Sequence, residues 1–174
     1  MRAIVGAAML GTVLVAGSLA AQSRGHVQLG GGVSIATGDF KDDGAKTGWV
    51  IQVAPGIMAP SGVIGGRVNG TFAKHNFEGT TDNLRILGAM GDLLFAPRMS
   101  GKAGVYVLAG VGFQNGKVTG AESETKFAWN AGAGLRLSAG SIGIYVEGRF
   151  LSINTEGGKT NTIPITAGVK LGGN

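Results

Sequence analysis

Residues 127 to 150 run FAWNAGAGLRLSAGSIGIYVEGRF, and every second side chain from Phe127 is uncharged: Phe127, Trp129, Ala131, Ala133, Leu135, Leu137 and, past Ala139 and Gly140, Ile142, Ile144, Val146, Gly148 and Phe150. The intervening positions are Ala128, Asn130, Gly132, Gly134 and Arg136, then Gly143, Tyr145, Glu147 and Arg149. All the ionic groups share one side. A period of two, rather than 3.6, specifies two strands joined by a tight turn.

The same alternation, punctuated by turn residues, marks eight strands at about 26 to 38, 49 to 59, 63 to 74, 83 to 95, 103 to 114, 125 to 137, 141 to 152 and 162 to 171. Most are about 9 to 13 residues long, against about 5 to 6 for a globular strand, which suits a tilted strand crossing a bilayer. The connections alternate in length. PSG (60 to 62), APRMSG (96 to 101) and SAG (138 to 140) are short, whereas DFKDDGAKTG (39 to 48), NFEGTTD (76 to 82), KVTGAESE (117 to 124) and NTEGGKTN (154 to 161) are longer and polar. Such asymmetry fits an eight-stranded antiparallel up-and-down transmembrane barrel, all-β, with tight periplasmic turns and longer external loops. An even strand number then puts both mature termini in the periplasm.

Composition agrees. Charged residues are 14% of the 174, below the ~25% of a soluble domain, and the 34 glycines are spread through the alternating segments. Eight of the ten acidic residues fall in the longer loops, namely Asp39, Asp42, Asp43, Glu78, Asp82, Glu122, Glu124 and Glu156; Asp92 and Glu147 do not. The basic residues are dispersed, so the net charge of +5 forms no nucleic-acid patch. Arg2, an uncharged run over 3 to 17 and small residues at Ser18, Ala20 and Ala21 spell an export signal over 1 to 21, leaving 22 to 174 as the barrel domain. Without cysteine there is no disulfide and no thiol chemistry.

Two kinds of barrel carry this alternation. One is a soluble lipocalin-like ligand-binding barrel, periplasmic or secreted, with apolar residues inside. The other is a membrane barrel with the faces exchanged. The polar series is rich in glycine and poor in Lys and Glu, which suits a narrow lumen better than a wet surface. Arg136 or Arg149 on the lipid side near the midplane would cost roughly 2 to 4 kcal/mol. The expected lumen network is Arg67, Asn69, Asn130, Arg136, Glu147 and Arg149. Its three guanidiniums face one carboxylate, an excess that lumen water or an inward Asp92 would relieve. Trp49, Phe72, Phe113, Phe127, Trp129 and Phe150 lie at long-loop ends of strands, as an aromatic girdle requires, with Phe95 at the other rim.

At NAGAGLRL (130 to 137), IYVEGRF (144 to 150) and IPITAGVKL (163 to 171) the chain resembles the small eight-stranded outer-membrane barrels of the OmpA/OmpX-like group. The resemblance implies the outer membrane of a Gram-negative-type cell, contact with its lipids and lipopolysaccharide, and the barrel assembly machinery as a partner in biogenesis. A monomer is expected. Two departures stand out. The chain closes on Leu171, Gly172, Gly173 and Asn174 without the terminal aromatic usual in such barrels, and Pro55 sits inside strand 2, where a bulge is expected.

Chemistry is sparse. His26 opens strand 1, and His75 lies three residues before Glu78, with Thr80 and Ser123 in the loops. A lipid A modifying enzyme would need His, Ser and an acid together at the outer rim, and no compact arrangement of that kind occurs. The cluster Asp39, Asp42 and Asp43 offers two readings, a weak divalent-cation site or a solvated acidic loop, and because it lacks the ligand spacing of a calcium loop the solvated loop is the one expected. No enzyme, cofactor or metal is expected, and a barrel of this size fills its interior with side chains rather than leaving a pore. The role expected is structural or a surface interaction through the four external loops.

Overall fold

The computed structural model describes residues 24 to 79, 81 to 97, 102 to 120, 122 to 139, 142 to 155 and 158 to 172, and the export signal expected over 1 to 21, Glu156 and the last two residues lie outside them. The strands are β1 (Arg24–Thr37), β2 (Gly48–Met58), β3 (Ile64–Asn76), β4 (Asn83–Phe95), β5 (Ala103–Val118), β6 (Glu124–Ala139), β7 (Ile142–Thr155) and β8 (Gly158–Gly172), with a helical turn α1 (Asp39–Asp42) after β1. Each strand pairs antiparallel with the next, and β8 closes on β1 from His26↔Gly172 to Thr37↔Asn161.

The alternation sorts the faces. Val68, Leu93, Val111, Leu135 and Ile144 point outward, and Leu93 keeps 73% of its surface exposed. Asn130, Tyr145, Glu147 and Arg149 point inward and are buried. Oil is therefore outside. An apolar belt of this extent is untenable on a water-soluble surface, which removes the lipocalin-like alternative. Inward glycines make room for larger neighbours: a Cβ at Gly30 would meet the Tyr145 hydroxyl, at Gly134 the Tyr106 ring and at Gly88 the Gln114 amide.

Three details differ from the sequence reading. First, β5, β7 and β8 run past the expected ends, so the segment 154 to 161 is mostly a paired hairpin, with Ser152↔Asn161 and Ile153↔Thr160 in register. Its threonines favour extended backbone, and beyond the apolar belt polar side chains on both faces carry no penalty. Second, Pro55 makes no bulge. The β2–β3 register from Trp49↔Lys74 to Val53↔Gly70 resumes unshifted at Gly56↔Arg67, so pairing lapses at Ala54 and Pro55 with no residue inserted. A missing N–H deletes a bond without adding chain length. Pairing lapses likewise opposite Pro164, between Gly148↔Ile165 and Leu151↔Thr162.

Third, the first long loop folds back into the barrel mouth. Gly38 (φ 57°) takes a left-handed turn into α1, and Phe40 and Ala45 pack against Ala36, Phe77 and Leu84.

Candidate functional site: the lumen and the outer rim

Midway along the lumen, inward positions of β1 to β7 bring two cations and two anions together. Arg67 on β3 donates from Nε to Asp92 Oδ2 at 2.9 Å, and its two Nη atoms grip the Glu147 carboxylate at 2.7 and 2.8 Å. It also bonds Gln28. Tyr106 OH donates to Glu147 Oε2 at 2.7 Å, and Arg149 Nε lies 3.2 Å from Glu147 Oε1. Neutral amides complete the layer: Asn130 donates to Asp92 Oδ1 at 2.9 Å, while Gln52 accepts from Arg149 at 2.6 Å and donates to Tyr145 OH at 2.8 Å. Asn69 reaches Gln52 at 3.5 Å.

Arg136 stands apart. It lies nearer the short-turn end beside Lys170 and Tyr106, with no bond to the Glu147 group among the described residues. Together with the inward turn of Asp92, this leaves the central layer charge-balanced. Parity alone put Arg136 on the inner face, but its height on β6 puts it in another layer. Sequence reasoning missed Gln28, Gln52, Tyr106 and Tyr145, each of which follows the same parity.

Apolar layers sandwich the ions. Val50, Ile86, Met90 and Ile153 pack above, toward the long loops, and Met58, Leu94 and Leu108 pack below. Beside them, voids of about 20 Å³ near Ser34 and about 10 Å³ near Lys170 have room for about one water each.

At the mouth, His75 is fully buried beneath Phe40, with ring centroids 5.2 Å apart. Its Nδ1 lies 3.0 Å from the Lys46 carbonyl, which can only accept, so Nδ1 carries the proton; Nε2 lies 3.1 Å from Ser34 Oγ. His75 thus pairs with Ser34, a residue of β1, while Glu78 turns to Lys46 at 3.9 Å. Of the grouping weighed from sequence, Glu78 and Ser123 make no bond to the imidazole among the described residues, and Thr80 lies outside them. His26 is buried at the opposite end of the lumen. Asp39, Asp42 and Asp43 are exposed on and just after α1, and no metal-binding group of three acidic or histidine residues occurs among the described residues. Beside α1 a cleft of about 610 Å³ opens near Thr37, Lys41 and Lys46.

On the outer face the aromatic residues pair across strands. Trp49 and Phe72 have centroids 5.4 Å apart, Phe113 and Phe127 6.2 Å, and Trp129 and Phe150 5.5 Å. Phe95 is half exposed near the short turns.

Residues 5 to 170 match the model of the outer membrane protein beta-barrel domain. The chain belongs to that family. Solved structures similar to this barrel include Neisserial surface protein A, with a TM-score of 0.66 and 12% identity over 84% of this chain and 96% of that one. A major outer membrane protein from Thermus thermophilus gives 0.62 and 14% over 86% and 99%. Ail, the attachment invasion locus protein of Yersinia pestis, gives 0.52 and 19% over 86% and 99%. At these identities the likeness is one of fold. No curated protein matches the chain. Membership places this outer-membrane barrel among the lipids of the bacterial outer membrane, with the apolar belt as its contact surface.

Proposed function

We propose that this barrel is a non-catalytic envelope protein that holds four connections outside the cell as an interaction surface, without an open pore, and with both mature termini in the periplasm. The observation that carries the reading is the filled lumen: a buried, charge-balanced layer lies between two apolar layers, and Phe40 caps the mouth. A barrel so filled serves as a scaffold for its rim rather than as a conduit. Lipopolysaccharide and the barrel assembly machinery are the partners proposed for the belt and for biogenesis. Ail, of the same fold, was solved in complex with the heparin analogue sucrose octasulfate, so a sulfated saccharide is a fitting first probe of the rim here. The mature chain from washed outer membranes is expected to migrate differently boiled and unboiled, and to give no steady conductance in planar bilayers. A stable single-channel conductance from the wild-type chain would sink the closed-scaffold reading.

A further inference from the structure

Strand register brings together three cations that are distant in sequence. Lys74 on β3 pairs with Arg85 on β4, and Arg85 pairs with Lys117 on β5, so the three occupy one rung on three adjacent strands. All lie on the outer face, by the parity of Phe72, Leu87 and Phe113. Trp49 continues the rung on β2.

Like charges directly opposite one another on a sheet are unfavourable, because facing Cβ atoms are only about 5 Å apart. No ion pair to Lys74, Arg85 or Lys117 occurs among the described residues; of the rim carboxylates, Glu78 pairs with Lys46 and Glu124 with Lys126. Arg85 Nε finds only the neutral Asn83 amide oxygen, at 3.3 Å.

Depth identifies the counter-ion. Lys74 is two residues above Phe72 and Arg85 two above Leu87, which is 61% exposed on the apolar belt. Two residues of a strand tilted about 40° climb about 5 Å, and the polar headgroup layer is about 5 to 7 Å deep on each side. Lys117 stands four residues above Phe113, at the top of that layer or just beyond it.

We propose that Lys74, Arg85 and Lys117 form a binding site for the phosphate groups of an outer-leaflet lipid headgroup, whose acyl chains lie along Phe72, Leu87 and Phe113. Arg85 supplies a planar fork for one phosphate and the lysines flank it as point charges. The site rests on the outward orientation of the long connections proposed above.

The test uses the full mature barrel in nanodiscs of zwitterionic phosphatidylcholine doped with a bis-phosphorylated lipid A. Lipid retained on extraction is counted by native mass spectrometry. The wild-type chain is expected to hold one phosphorylated lipid, at about fivefold preference per cation. The triple variant K74Q/R85Q/K117Q is expected to lose about a hundredfold of it, and a control K41Q/K46Q/K159Q to keep it. A heat-shifted gel band verifies that each variant is folded. Equal retention by the triple variant and the wild type overturns the site, as does wild-type binding of soluble sucrose octasulfate through these three residues with no lipid retained. Labelling of S123C on whole cells by an impermeant maleimide reports orientation separately. Unlabelled cells with lipid preference intact would overturn the outer-leaflet assignment, whereas labelled cells with no lipid preference would overturn the row itself.

Discussion

The molecule carries two arrays of charge, one at the centre of the lumen and one on the outer rim, and they are solved in opposite ways. Arg67, Arg149, Asp92 and Glu147 are buried, and each has an opposite charge within 3.2 Å. Lys74, Arg85 and Lys117 share a rung with no opposite charge paired to them among the described residues. Burial explains the difference. An unpaired ion at the centre of the lumen costs several kcal/mol, so for these four the chain supplies both signs itself. A cation at the rim is solvated and screened, and the chain leaves its partner to the surroundings.

The inner array breaks hardest. Glu147→Gln removes the carboxylate that Arg67, Arg149 and Tyr106 share, leaving two guanidiniums against Asp92 alone. A loss of roughly 3 to 5 kcal/mol is expected, read as a lower urea midpoint of the heat-shifted form. Adding Arg149→Met restores balance through the Arg67–Asp92 pair at 2.9 Å. The double variant is therefore expected to be more stable than the single one. A double variant as unstable as the sum of its parts would show that shape, rather than charge balance, holds the layer together.

How far the sequence carried follows from this contrast. Period-two alternation is a local signal, and it assigned Arg67, Asn130, Glu147 and Arg149 to one face without knowledge of neighbouring strands. It left the direction of Asp92 open, because β4 is apolar on both faces: Leu84, Ile86, Met90 and Leu94 point inward while Leu87 and Leu93 point outward. Height was harder still. Which residues share a layer depends on the register of all eight strands, so Arg136 looked like a partner of Glu147, and Lys117 looked like a loop residue unrelated to Lys74. The insertion of Phe40 into the mouth is a tertiary contact with no periodic signal.

That cap offers an intermediate effect. Phe40 meets His75 and Phe77 edge-on but belongs to no strand, so it holds the loop rather than the barrel. Phe40→Ala is expected to cost roughly 3 kcal/mol of local docking, about a hundredfold faster amide exchange at Lys46, whose N–H bonds the Asn76 carbonyl at 2.8 Å. The urea midpoint should barely move. A large global loss would instead make the cap part of the same cooperative unit as the central layer.

The smallest effect has the opposite sign, and it tests the contrast most directly. Arg85 lies between Lys74 and Lys117, so Arg85→Gln removes two like-charge contacts at once. In a zwitterionic detergent free of anionic lipid at low salt, the variant is expected to be about 0.2 to 1 kcal/mol more stable than the wild type. The gain should fade near 1 M salt, where screening acts over about 3 Å. Glu147→Gln should keep its loss under the same salt, because buried ions are screened far less. If Arg85→Gln is destabilising and insensitive to salt, the rim cation has a partner within the protein, and the two arrays obey one rule instead of two.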